Sequence, residues 1–175
     1  MGLPTVKIGD GIYTAANVFS AEECRRCIER GESIGFEWAP SFDIGGATRD
    51  NDRAMLYDED LAAEIWARIK SLLPASVHTR AVGLNRQFKF YRYDVGHKYT
   101  LHFDGAFHSP TGAASRLTFI LYLNDGYEGG ETIVSGITIA PETGKVLVFE
   151  QQLLHESVEL RRGRKYVLRS EVMFR

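Results

Sequence analysis

The chain has 175 residues, 44% of them hydrophobic and 25% charged, and a formal net charge of -2. That composition suits one soluble globular domain over 1–175 with a sizeable apolar interior, and the lack of a basic excess argues against nucleic acid or anionic lipid as a partner. No apolar run approaches the roughly 20 residues that span a bilayer, the N-terminus lacks a charged-then-apolar leader, and Val6 sits where a myristoylation signal needs Ser or Thr.

Taken in order, Thr5 to Val18 alternates loosely around the turn signal Asp10-Gly11, which predicts a short strand or two. Ser20-Ala21-Glu22-Glu23 reads as a capping box. The helix that follows should run to about Gly31 or Ile34, with Cys24, Cys27 and Ile28 on its inner stripe. The C-x-x-C spacing has no second cysteine pair to complete a structural zinc site. Two reduced helix thiols are therefore expected, and with them a reducing, cytoplasmic setting. Pro40 to Asp52 is loop-like. Arg49, Asn51 and Arg53 alternate, so one extended segment would aim all three the same way. This is either a solvated edge strand or a substrate-facing polar row. Asp58 or Asp60 caps a second helix with Leu61, Ile65, Ile69 and Leu72 as its apolar face, stopped by Pro74.

The period then changes to two. Phe88 and Phe90 alternate with Lys89, Tyr91 and Tyr93. Tyr99 to Asp104 reads as the next strand. Gly105 to Ser115, which contains His108, reads as a mobile surface loop and a candidate lid. Arg116 to Asn124 predicts a buried strand. Glu131 to Val134, Ile137 to Ala140, Lys145 to Glu150 and His155 to Leu160 predict short ones, and Lys165 to Phe174 a long final strand. Helices before about eight strands fit a mainly β (α+β) double-stranded β-helix, a cupin-like jelly roll with two or more N-terminal helices packed outside.

The chemistry centres on His102 and Asp104. Two residues apart in an extended segment, they point to one side and can grip one ion, with Phe103 turned away. A third ligand is needed, and His155 is the best source. Two histidines and one carboxylate on one face of an ion, with the remaining positions open, are the ligand set of non-haem Fe(II) oxygenases. His78 and His97 read as structural histidines. His155 and Lys165, placed on adjacent antiparallel strands, would share a small cavity.

From Tyr91 to Arg175 the chain resembles the 2-oxoglutarate and Fe(II)-dependent dioxygenases, and within them the prolyl 4-hydroxylase-like branch. The matching pieces, in order, are Tyr93-x-x-Gly96-x-x-Tyr99-x-x-His102-x-Asp104, Leu121-Tyr122-Leu123-Asn124, Gly129-Gly130-Glu131-Thr132, and His155 followed by Gly163 and Lys165. The resemblance implies Fe(II) on His102, Asp104 and His155. It also implies 2-oxoglutarate and O2 as cosubstrates and ascorbate as a reductant. The far carboxylate of 2-oxoglutarate would meet Lys165 or, on the same strand face, Arg169, the better bidentate partner. Tyr93 and Tyr122 could give it hydroxyl hydrogen bonds, or could be aromatic core packing with the hydroxyl at the rim.

The implied reaction hydroxylates a C–H bond and releases succinate and CO2. Peptidyl proline is the substrate by resemblance, a free amino acid or small metabolite the alternative, with Arg49, Asn51, Arg53 and Tyr99 as candidate substrate residues. Arg162 to Arg175 lacks the Asn-containing, Arg-rich signature of the nucleic-acid demethylases on this scaffold. A non-catalytic metal-binding jelly roll is the reading from another class. Oligomeric state is not written in the sequence.

Overall fold

The computed structural model describes residues 6–42 and 46–175. Thr5 and Gly45, part of the stretches discussed above, lie outside them. Two antiparallel sheets face each other. The larger runs, in hydrogen-bonded order, Val6–Gly9, Ile12–Ala15, Val146–Glu150, Ala114–Tyr122, Lys165–Phe174, Gln87–Tyr93, Asp52–Tyr57 and Glu37–Trp38, and Ala81–Leu84 also pairs with the long final strand. The smaller runs Ile137–Ile139, Thr132–Val134, His155–Ser157, Lys98–His102, Thr48–Asp50 and Ser41–Phe42. This is the mainly β, two-sheet architecture expected, with helices on the outside.

Alternation along the large sheet gives its two faces opposite jobs. Phe88, Phe90, Leu117, Phe119, Leu121, Leu168 and Val172 point away from the smaller sheet, into a core that also holds Cys24, Ala62, Ile65 and Ile69 of the helices. Each of these large side chains contributes about 1.5–3 kcal/mol on burial. The other face carries Tyr91, Tyr93, Tyr122, Leu147, Phe149 and Val167 and closes on Val134, Ile139 and Leu160. Gln87–Tyr93 thus has two aromatic faces, phenylalanines toward the helices and tyrosines toward the space between the sheets.

The first helix, Ala21–Ile34, begins at a complete capping box: Ser20 Oγ accepts from the Glu23 N–H while the Glu23 carboxylate accepts from the Ser20 N–H. The second, Glu59–Ile69, is capped by Asp58, whose carboxylate accepts from the Leu61 N–H at 2.8 Å. Pro74 does not simply stop it. A 3-10 turn, Lys70–Leu72, comes first, and Pro74 then opens a further short helix, Ala75–His78, because a proline is tolerated where no intrahelical N–H is required.

Three expectations need correction. His155 to Leu160 is not one strand: His155–Ser157 joins the small sheet and Leu160–Arg162 pairs separately with Glu128–Gly129. Lys98–His102 ends before Asp104, which is held past the strand end by its N–H donating to Gln151 O at 3.0 Å. Arg49, Asn51 and Arg53 do not share one strand. Thr48–Asp50 belongs to the small sheet and Asp52–Tyr57 to the large one, so the chain passes between layers at Asn51, which is fully buried.

Candidate active site

His102 and His155 come together because their strands pair in register, residue opposite residue. Their rings lie 4.1 Å apart, and one donor atom from each, with one Asp104 oxygen, form a group within 4.8 Å of one another. His155 Nε2 is 3.4 Å from Asp104 Oδ2, and His102 Nε2 is 3.8 Å from Asp104 Oδ1. Each histidine turns its other nitrogen to a backbone carbonyl, His102 Nδ1 to Thr100 O at 2.7 Å and His155 Nδ1 to Leu153 O at 2.9 Å. A carbonyl only accepts, so both Nδ1 atoms carry the proton and both Nε2 lone pairs face Asp104. Burial lowers the His102 pKa to about 4, which keeps the ring neutral. Two imidazoles and a carboxylate converging on one point fit a divalent first-row metal.

Asp104 is itself fixed. Burial pushes its pKa upward, but the Arg169 charge outweighs that and holds it well below the usual carboxylate range. Arg169 Nη2 donates to Oδ1 at 2.8 Å, and the Thr118 hydroxyl donates to Oδ2. Tyr99 stacks on His102, ring centroids 3.4 Å apart and planes 10° from parallel.

Lys165 is not on a strand adjacent to that of His155. It lies on the large sheet, opposite Tyr93 in register, and reaches the shared cavity from the facing layer. Its ammonium donates to Gly130 O at 2.7 Å and Ser157 Oγ at 2.8 Å and sits 4.7 Å from the Tyr93 ring centroid. It has three donors and no carboxylate within ion-pair distance among the described residues. Burial lowers its pKa to about 7. Arg169, by contrast, is already engaged, by Asp104 and by Glu171 Oε1 at 2.8 Å. An unpaired buried ammonium is costly unless an anion joins it, so Lys165 is the cation that fits a keto-acid carboxylate.

The other expected residues divide. Tyr93 is buried beside Lys165, whereas the Tyr122 hydroxyl is spent on Thr132 Oγ1 at 2.8 Å. Arg49 and Arg53 border a second cavity next to Asp104, and Asn51 is fully buried. His97 is structural, Nδ1 accepting from the Asp94 N–H at 3.1 Å. Cys24 and Cys27 are free thiols, Cys24 buried. Sequence reasoning missed Thr118, Ser157 and Tyr127. Ser157 is two residues beyond His155 and so on its strand face, a signal that was available. Tyr127, beside Gly130 with its hydroxyl buried and without a hydrogen-bond partner, had none. The Gly-Gly pair has a steric cause: at Gly129, φ 77°, a Cβ would lie 2.3 Å from Glu159 O.

Residues 88–170, just under half of the chain, match the family model of the 2OG-Fe(II) oxygenase superfamily. The chain is similar to hydroxylases of the prolyl 4-hydroxylase-like branch. It is 28% identical over 156 residues to a PKHD-type hydroxylase of Methylobacterium nodulans, covering 82% of this chain and 68% of that protein. It is 24% identical over 187 residues to a probable prolyl 4-hydroxylase of Arabidopsis thaliana, covering 86% of this chain and 64% of that protein. The fold superposes on a viral collagen prolyl hydroxylase from Paramecium bursaria Chlorella virus-1 with a TM-score of 0.71 at 19% identity, covering 97% of this chain and all (100%) of that one. A Trichoplax adhaerens prolyl hydroxylase, solved in complex with a hypoxia inducible factor peptide fragment, gives a TM-score of 0.71 at 15% identity, covering 94% of this chain and 84% of that one.

Proposed function

We propose that residues 1–175 form one Fe(II)- and 2-oxoglutarate-dependent dioxygenase domain that hydroxylates a substrate C–H bond. The observation that carries this reading is the meeting of His102, Asp104 and His155 with the unpaired Lys165 ammonium around one inter-sheet space. We assign the metal to the first three and the far carboxylate of 2-oxoglutarate to Lys165. When bound, metal and cosubstrate supply the oxidising power: O2 is divided between succinate and the substrate, CO2 is lost, and C–H becomes C–OH. This chain's own side chains do the rest. The Thr100 and Leu153 carbonyls fix both imidazole tautomers, Thr118 and Arg169 fix the carboxylate, and Lys165 neutralises the incoming acid. Tyr93, Tyr91 and Val167 wall the space from water.

Peptidyl proline is the substrate class suggested by the Arabidopsis relative's name and by the peptide bound to the Trichoplax enzyme. A free amino acid or small metabolite is the second reading, favoured by the charged second cavity. Ascorbate is assigned as reductant on family resemblance alone. No helix of the described residues is long and apolar enough to cross a membrane; we place the protein in the cytoplasm on its two free thiols.

The test is succinate formation from 2-oxoglutarate under air. It should require Fe(II) and be lost in His155→Ala and Lys165→Ala. Metal binding without 2-oxoglutarate uptake or turnover would leave a non-catalytic metal-binding jelly roll.

A further inference from the structure

Beyond the space at Lys165, a second cavity of about 320 Å³ opens beside Asp104. Tyr91, Tyr99 and Arg169 line both spaces. Four cationic side chains border the wider one, Arg49, Arg53, Lys89 and Arg169, against two carboxylates, Asp104 and Glu171. The carboxylates are taken. Arg169 holds both at 2.8 Å, and Lys89 Nζ holds Glu171 Oε1 at 2.9 Å. A metal ion on Asp104 removes still more negative charge.

Arg49 and Arg53 are left over. The Arg49 side chain donates only to a neutral carbonyl, Ala39 O, at 3.2 and 3.0 Å, and the Arg53 side chain makes no hydrogen bond or ion pair among the described residues. They enter from facing layers, Arg49 opposite Tyr99 in the small sheet and Arg53 opposite Tyr91 in the large one. The Arg49 guanidinium carbon lies 5.8 Å from the centroids of both rings, and Tyr99 is the ring stacked on His102. Two uncompensated guanidiniums on the rim of one open cleft select an anion of carboxylate shape. A neutral peptide segment would leave both charges unused.

We propose that the substrate carries a carboxylate and that Arg49 and Arg53 receive it in this cavity, one aromatic ring away from the metal ligands. The proposal rests on the dioxygenase reading above. It names the substrate class as an acid, either the α-carboxylate of a free amino acid or the side chain of an acidic peptide.

The test uses the full chain loaded with Mn(II), a redox-inactive stand-in, and 2-oxoglutarate. The probes are the proteinogenic amino acids as free acids, the same set as α-carboxamides, and C-terminally amidated proline peptides carrying Glu or Gln beside the proline. Binding is read by saturation-transfer NMR and calorimetry. At least one carboxylate probe should bind about tenfold or more tighter than its amide partner, and Arg53→Gln should abolish the preference. Because the Arg53 side chain makes no hydrogen bond or ion pair among the described residues, its variant tests charge without breaking one. Binding of free acids or of Glu peptides supports the proposal in either case and names the source. The proposal is overturned if acid and amide bind alike, if no carboxylate probe binds, if Arg53→Gln keeps the preference, or if excess 2-oxoglutarate displaces the probe. Failure of the Mn(II) protein to take up 2-oxoglutarate is a separate result and strikes the dioxygenase reading itself.

Discussion

Arg169 and Asp104 are a buried pair: the guanidinium Nη2 sits 2.8 Å from Oδ1 of the carboxylate assigned to the metal. The arginine both orients that ligand and keeps it ionised in a site whose burial favours the neutral acid. Arg169→Ala should therefore weaken Mn(II) binding by roughly 10- to 100-fold, the usual cost of losing an outer partner of a metal ligand. The sign with pH follows. A depressed carboxylate pKa leaves the ligand competent until strong acid, and without Arg169 that competence is lost at higher pH. Mn(II) titrations at pH 7 and pH 5.5, followed by electron paramagnetic resonance, should show a larger fall between the two in the variant than in wild type.

Lys165 titrates in the opposite sense. Its folded pKa of about 7 lies below the ordinary 10.5, so the folded protein binds fewer protons than the unfolded chain between those values. Stability of the ligand-free protein should rise with pH from about 7 toward 10. Lys165→Met should flatten that rise in urea titrations while reducing 2-oxoglutarate affinity at least 100-fold. Because a dianion wants the ammonium charged, 2-oxoglutarate binding above pH 7 should take up a proton. Calorimetry in buffers of different ionisation enthalpy reads this directly.

Gly129→Ala tests the Gly-Gly pair. A Cβ there meets backbone, Glu159 O at 2.3 Å, at a positive φ that alanine disfavours. The expected loss is about 2 kcal/mol or more. Displacing this turn also moves the Gly130 carbonyl that accepts from Lys165, so 2-oxoglutarate affinity should fall together with the unfolding midpoint.

Ser20→Ala removes one half of the capping box far from the cavity. It should cost about 1 kcal/mol of stability with no change in 2-oxoglutarate affinity. A change in both would mean that the first helix communicates with the site.

Much of this was readable from local pattern. The capping box, the Ile65 and Ile69 stripe and the final strand Lys165–Phe174 follow from periodicity and caps that the residues themselves carry. The metal group was readable because histidine and aspartate at i and i+2 share a side, and the His155 segment follows a strongly apolar strand. Sheet membership was not. Alternation at Arg49, Asn51 and Arg53 looks the same whether the chain stays in one layer or passes to another, since that choice is made by pairing with Tyr99 and Tyr91, 50 and 38 residues away in sequence. For the same reason Lys165 was expected beside His155 and is found across from it. Nor could the spacing of Lys165 and Arg169 decide between them, because their availability depends on Asp104 and Glu171, which only tertiary contact supplies.

The passage of the chain at Asn51 ties the width of the second cavity to the architecture of the whole domain. Because one residue, Asn51, joins one layer to the other, Arg49 and Arg53 stand on opposite banks of a gap whose span is set by that short seam. Lengthening the seam by one or two residues would let the banks drift apart without disturbing either sheet, and would retune which ligands bridge them while leaving the metal group in place.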